Sequence, residues 1–277
     1  MHPPLPKPEC SLRTVCAALV LVTFALMGCQ TERPTVPLLA PSDTLFSAND
    51  AERSKALDRL EAMQQDTLRT AFSRLADFSF TRYVRTAQFA PDGRRTAFAE
   101  RVDRYVRTDG LQRRTLRRDS TGTFSFDAFD QFAPTPTDSL PRNLPSYLIS
   151  DEPAYIAPRT REAYRYRTYA DTLMPGTPVH VVEVRAQPDE RGHEVGIRHA
   201  RLYIDPASQQ LVGLYLVRAE RAALFREDSR FFVSLRPGPD GGWLPFVTRF
   251  HARVDVPMRD PQEFRTVSTF YDYTPAD

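Results

Sequence analysis

From Phe78 to Tyr273 apolar and polar residues alternate with a period of two, and nothing else in the chain limits its fold so strongly. In residues 249–256, Arg249, His251, Arg253 and Asp255 alternate with Phe250, Ala252, Val254 and Val256. Successive side chains of a strand point to opposite faces, so this run has one wet face and one dry face. The same alternation marks residues 78–86, 96–107, 161–172, 179–186, 197–204, 211–221, 231–235 and 264–273. Between these runs stand turn signals: Asp92-Gly93, Asp109-Gly110, Thr121-Gly122, Pro175-Gly176, Arg191-Gly192 and Asp240-Gly241-Gly242. The pattern predicts about ten or eleven antiparallel strands joined by hairpins. A sheet of that size curls into a barrel or half-barrel around one core.

Two segments fall outside the alternation. Ser47 stands before Asp50 as a helix start, and Leu57, Leu60, Leu68, Ala71, Phe72 and Leu75 recur at helical spacing, predicting one long amphipathic helix to about Ala76. Residues 126–160 carry Pro134, Pro136, Pro141, Pro145, Pro153 and Pro158 among many aromatic and aliphatic side chains. That stretch is too apolar for a linker and too proline-rich for a strand or long helix, so it is expected to be a helical or irregular plug, or a loop covering one open end of the sheet.

The first 29 residues are an address. Lys7 and Arg13 precede an uncharged apolar run from Val15 to Met27, too short for a permanent membrane span, and Gly28-Cys29 follows. Leu26-Met27-Gly28-Cys29 resembles the bacterial lipobox, which implies acylation of the Cys29 thiol, cleavage before it and acylation, palmitate included, of the new amino terminus. The alternative is a plain signal peptide with an incidental cysteine. Cleavage would remove Cys10 and Cys16 and leave Cys29 as the lipid anchor. Acyl chains there supply the two signals that stable attachment requires. By the same resemblance, Gln30, where Asp would favour inner-membrane retention, points to the outer membrane. Residues 30–47, with Pro34, Pro37 and Pro41, read as an extended tether. The expected organisation is therefore a signal over 1–28, a tether over 29–47 and one domain over 48–277.

Chemistry is sparse in this chain. His180 and Glu183 are an odd number apart on a strand and face opposite ways, and His193, His199 and His251 lack ligand spacing, so they are expected as surface or edge residues. No nucleophile elbow, phosphate loop or zinc-protease helix occurs. Asp189-Glu190 and Glu227-Asp228 are expected in turns. No catalytic residue, metal site or cofactor is assigned, and the chain is not expected to be an enzyme. With 37 Lys and Arg against 35 Asp and Glu, bulk-charge binding to nucleic acid is excluded. Arginine does cluster at 94, 95, 101, 104, 107, 113, 114, 117 and 118, a hairpin suited to an anionic headgroup or an acidic partner, or simply to solvent.

The run from His199 through Ala200-Arg-Leu-Tyr-Ile-Asp-Pro, then Gly241-Gly242-Trp243-Leu244-Pro245, and a last strand ending Thr269-Phe-Tyr-Asp-Tyr273 resembles the outer-membrane lipoprotein-sorting (LolA/LolB-like) superfamily. The resemblance implies an unclosed antiparallel β-barrel, or half-barrel, with helices packed in its mouth. It also implies a cell-envelope protein that binds or transfers lipid or acylated lipoprotein in an apolar cavity, without covalent chemistry. Candidate lining residues are Phe78, Phe80, Phe98, Val182, Val184, Leu202, Ile204, Leu214, Leu216, Phe246, Phe250 and Val254. The alternative is a lipid-tethered structural or receptor module with a solid core that acts through its surface.

Overall fold

The computed structural model describes residues 50–107, 110–125, 153–173, 176–187, 196–222, 225–255, 258 and 260–275, which belong to one unit, Phe46–Asp277. The signal, the tether, Cys29, Asp189-Glu190, His193 and residues 126–152 lie outside the described residues.

Helices come first: α1 (Asp50–Ala62) and α2 (Thr67–Ser73), with a 3-10 turn over Arg74–Asp77. Asp50 and Glu52 in the first turn of α1 and Arg59 in its last suit the helix dipole. The expected single helix is thus broken at 63–66. There the backbone leaves its own ladder to bond another segment: Gln64 N donates to Gln209 O (3.0 Å), and Leu211 N donates to Gln64 O (3.4 Å). Thr67 Oγ1 donates to Gln64 O as well (2.9 Å).

Ten strands follow: β1 (Phe78–Phe89), β2 (Arg95–Arg107), β3 (Leu111–Thr121), β4 (Tyr164–Leu173), β5 (Thr177–Ala186), β6 (Ile197–Ile204), β7 (Leu211–Ala222), β8 (Phe225–Pro237), β9 (Trp243–Asp255) and β10 (Gln262–Pro275). They form one antiparallel sheet in the order β3-β2-β1-β10-β9-β8-β7-β6-β5-β4. Every neighbour in this order is next in sequence except β1 and β10, whose pairing runs from Phe78 opposite Pro275 to Phe89 opposite Glu263. That closure leaves β3 and β4 as the two edges, and the barrel is unclosed between them. The proline-rich segment, which the sequence places between β3 and β4, therefore links the two edges. Glu227 and Asp228 sit within β8, not in a turn; they continue the ladder with Val254 and Arg253 of β9.

Alternation divides the sheet into an inner face, which the helices cover, and an outer face. On the inner face Val182, Val184, Ala200, Leu202, Ile204, Leu214, Leu216, Phe231 and Val233 pack against Ala56, Leu60, Met63, Leu68 and Ala71 of the helical segment. Near the β1–β10 seam a second cluster joins Leu75, Phe78, Phe80, Tyr105, Leu244, Phe270 and Tyr273. In it Phe80 stacks on Tyr105 at 4.6 Å, and Tyr273 Oη donates to Pro245 O (2.6 Å). Arg74 holds the 3-10 turn to the β8–β9 hairpin by donating to Trp243 O (3.2 Å) and pairing with Asp240. Gly242 leaves the space that the Arg74 guanidinium fills.

Candidate functional site

The inner wall has two chemically different halves. Over β4 to β9 it is apolar, and its roof is two short helices: α1 buries Ala56 and Leu60, Met63 follows, and α2 buries Thr67, Leu68 and Ala71. Arg53 pairs with Glu162 at 2.5 Å and ties α1 to the turn before β4. Beyond α1, Tyr155 is buried against Tyr164, and Tyr166 Oη donates toward the carbonyls of Tyr155 (2.7 Å) and Arg161 (3.0 Å). Burial pushes all three phenols up, that of Tyr164 to about 12, so they stay neutral.

Over β10, β1 and β2 the same wall becomes polar while remaining buried. Arg82 Nη2 donates to Ser268 Oγ (3.0 Å), and the Thr86 and Thr266 hydroxyls share a hydrogen bond at 3.0 Å. Gln88 Nε2 donates to Gln262 Oε1 (2.7 Å) and to Ser125 Oγ (2.9 Å). Arg101 Nε donates to Asp103 Oδ2 (2.6 Å), and Thr115 Oγ1 donates to Asp103 Oδ1 (2.7 Å). Arg82, Thr86, Gln88, Arg101, Asp103, Thr266 and Ser268 are all buried. Burial lowers the Arg82 guanidinium from its usual range. Polar groups of this kind persist in an interior only where hydrogen bonds satisfy them.

The candidate lining residues divide accordingly. Val182, Val184, Leu202, Ile204, Leu214 and Leu216 come together on the apolar half, at most 1% exposed. Phe250 packs against them, and Val254 lies half-buried two residues further along the same face. Phe78 and Phe80 belong to the seam cluster. Phe98 departs from the expectation: its partner on β1 is Ala87, whose side chain is on the face opposite Phe80, so Phe98 lies outside, between Arg85 (5.8 Å) and Arg95 (4.8 Å). Phe246 sits under the Arg236 guanidinium at 5.4 Å. The polar half was not anticipated from sequence. Its signal was available in β1, where Arg82, Thr86 and Gln88 share the parity of Phe80.

A second constellation lies on the outer face. Glu183 is fully buried and accepts from His199 Nε2 at 2.7 Å, Arg167 Nε at 2.7 Å, Arg185 Nη2 at 3.0 Å and Arg201 Nε at 3.2 Å. Burial pushes its carboxyl upward, but the hydrogen bonds from His199, Arg167 and Arg185 and the charge of Arg201 outweigh that and hold it well below the ordinary carboxylate range. A carboxylate so saturated with donors is a poor base; it fixes three guanidiniums and an imidazole instead. His199, expected at a surface or edge, is thus a partner of Glu183 across strands. His180 does face away from Glu183, and burial together with Arg59 and Lys55 lowers its imidazole.

Among the described residues no group of His, Cys, Asp and Glu could hold a metal ion, and no helix is long and apolar enough to cross a membrane.

No protein-family model and no curated protein matches the chain. Solved structures similar to it include a DUF1329 family protein from Desulfovibrio piger (12% identity, 81% of this chain and 93% of that one, TM-score 0.28). A putative outer membrane lipoprotein-sorting protein domain from Vibrio parahaemolyticus is similar at 10% identity over 82% of this chain and 92% of that one, with TM-score 0.26. A LolA superfamily protein from Nitrosomonas europaea is similar at 11% identity over 80% and 94%, with TM-score 0.22.

Proposed function

We propose that this chain is a cell-envelope lipoprotein, anchored through Cys29, that binds an amphipathic lipid or acylated protein on the inner face of its half-barrel and works without covalent chemistry. The observation that supports this most is the divided inner wall. Hydrocarbon suits the apolar half over β4 to β9, and a polar headgroup suits the hydroxyl, amide and guanidinium half over β10, β1 and β2. Roof and ligand are of comparable magnitude. Burial of Leu60, Met63 and Leu68, with the methyls of Ala56 and Ala71, stabilises the helical roof by roughly 6–11 kcal/mol, at about 1.5–3 kcal/mol for each large side chain and about 0.8 for each methyl. An acyl chain of about 14 methylenes gains on the order of 11 kcal/mol by the same scale. Hydrocarbon can therefore compete with the helices for the sheet.

One observation favours the alternative of a tethered module with a solid core: six of the expected lining residues are already packed beneath the helices. Titration of the purified chain with a fluorescent fatty acid separates the two. Lipid binding predicts saturable uptake reversed by unlabelled palmitate; a solid core predicts no saturable, competable signal.

A further inference from the structure

The outer face carries an arrangement that ligand binding on the inner face does not require. Strand registers trace one row across it: Arg165 opposite Arg185, Arg185 opposite His199, His199 opposite Val217, Val217 opposite Arg230, Arg230 opposite His251, and His251 opposite Arg265. With strands ~4.8 Å apart, the row crosses β4 to β10 over about 30 Å. No position in it is acidic. Carboxylates of flanking rows stand beside it: Glu183, buried against Arg185 and His199, Glu263, which pairs with His251 (3.0 Å) and Arg265 (2.5 Å), and Asp228, two residues from Arg230 on the same face. Arg165, Arg230 and Arg265 are nonetheless exposed.

Neighbouring side chains hold the flanking guanidiniums in place. Arg167 lies over Tyr169 at 4.9 Å, Arg201 over Tyr215 at 5.9 Å and Arg249 over Phe232 at 5.8 Å. Guanidiniums resting on aromatic faces and gathered around one carboxylate have already lost much of the side-chain freedom that binding an anion would cost. Arginine also fits phosphate oxygens with paired donors. A row of cationic side chains that crosses seven strands, curving with the sheet, matches an extended anionic surface better than a small anion.

We propose that this outer face docks on a bilayer rich in anionic phospholipid, with the arginine row against the headgroup phosphates. The proposal is independent of what the inner face binds. The test is arginine footprinting of the full chain with phenylglyoxal, read by mass spectrometry, on vesicles of phosphatidylcholine alone or with about a third phosphatidylglycerol. Arg94, exposed in the β1–β2 turn, and Arg113, exposed on β3 of the β2–β3 hairpin, serve as internal references. On the anionic vesicles Arg165, Arg230 and Arg265 should be modified roughly fivefold more slowly than on the neutral ones, and the difference should vanish at high salt. Equal modification on both vesicles would overturn the proposal. So would protection of Arg94 and Arg113 in place of the row, which would make the β2–β3 edge of the sheet the docking surface.

Discussion

Glu183 shows how much of the chemistry depends on register. Breaking a buried ionic cluster typically costs about 3 kcal/mol, so Glu183→Gln should lose roughly that much in urea denaturation at neutral pH. Because the folded carboxyl is held below its ordinary range, its contribution is fully present above about pH 5 and is lost progressively as pH falls from there toward the lower folded value. The stability gap between wild type and variant should therefore narrow on acidification; a gap constant from pH 7 to pH 3 would show that the cluster does not act through charge. Gly122 gives a second residue-level prediction. It has φ +72°, and a Cβ there would stand 2.1 Å from Thr96 O. Gly122→Ala should cost at least about 1–2 kcal/mol for the left-handed backbone, plus the displacement of β2, measured as a lower denaturation midpoint. The glycines of such turns were legible because local backbone geometry selects them. The Glu183 cluster was not, since Arg167, His199 and Arg201 meet it only across strands whose pairing one sequence does not reveal.

At the scale of elements, the strands were legible and the helix was not fully so. Period-two alternation located most of β1 to β10, whereas one helical stripe over Leu57 to Leu75 concealed the break at Gln64, which exists because a distant turn at Gln209 supplies backbone partners. β3 was read only as an arginine-rich hairpin; nearly every residue in it is exposed, so no dry face marks it as a strand. The roof makes a prediction with two opposite signs. Leu60→Ala removes a side chain 1% exposed beneath α1 and should cost about 3 kcal/mol in stability. If the roof is what hydrocarbon displaces, the same variant should bind fatty acid more tightly. Loss of affinity in step with stability would instead make Leu60 part of the binding surface.

For the whole molecule, the half-barrel class and the strand count followed from alternation and turns, while the seam did not. β1 and β10 lie at opposite ends of the strand series, and among the described strands it is β10 that hydrogen-bonds the β3-β2-β1 block to the β9-to-β4 block. A chain ending at Pro261 should therefore lose its cooperative unfolding transition, as seen by near-ultraviolet circular dichroism on heating. The division of the inner wall was equally hidden, because buried polar residues such as Arg82 and Asp103 read in sequence as solvent-facing. That division, with its apolar half under a roof of two short helices, is the centre of the functional proposal, and hydrogen exchange of the full chain with and without saturating palmitate tests it most directly. Displacement of the roof predicts that amides of α1 and α2 lose protection in proportion to bound palmitate while β5, β6 and β7 keep theirs. Unchanged or increased protection of α1 and α2 at saturation would contradict it.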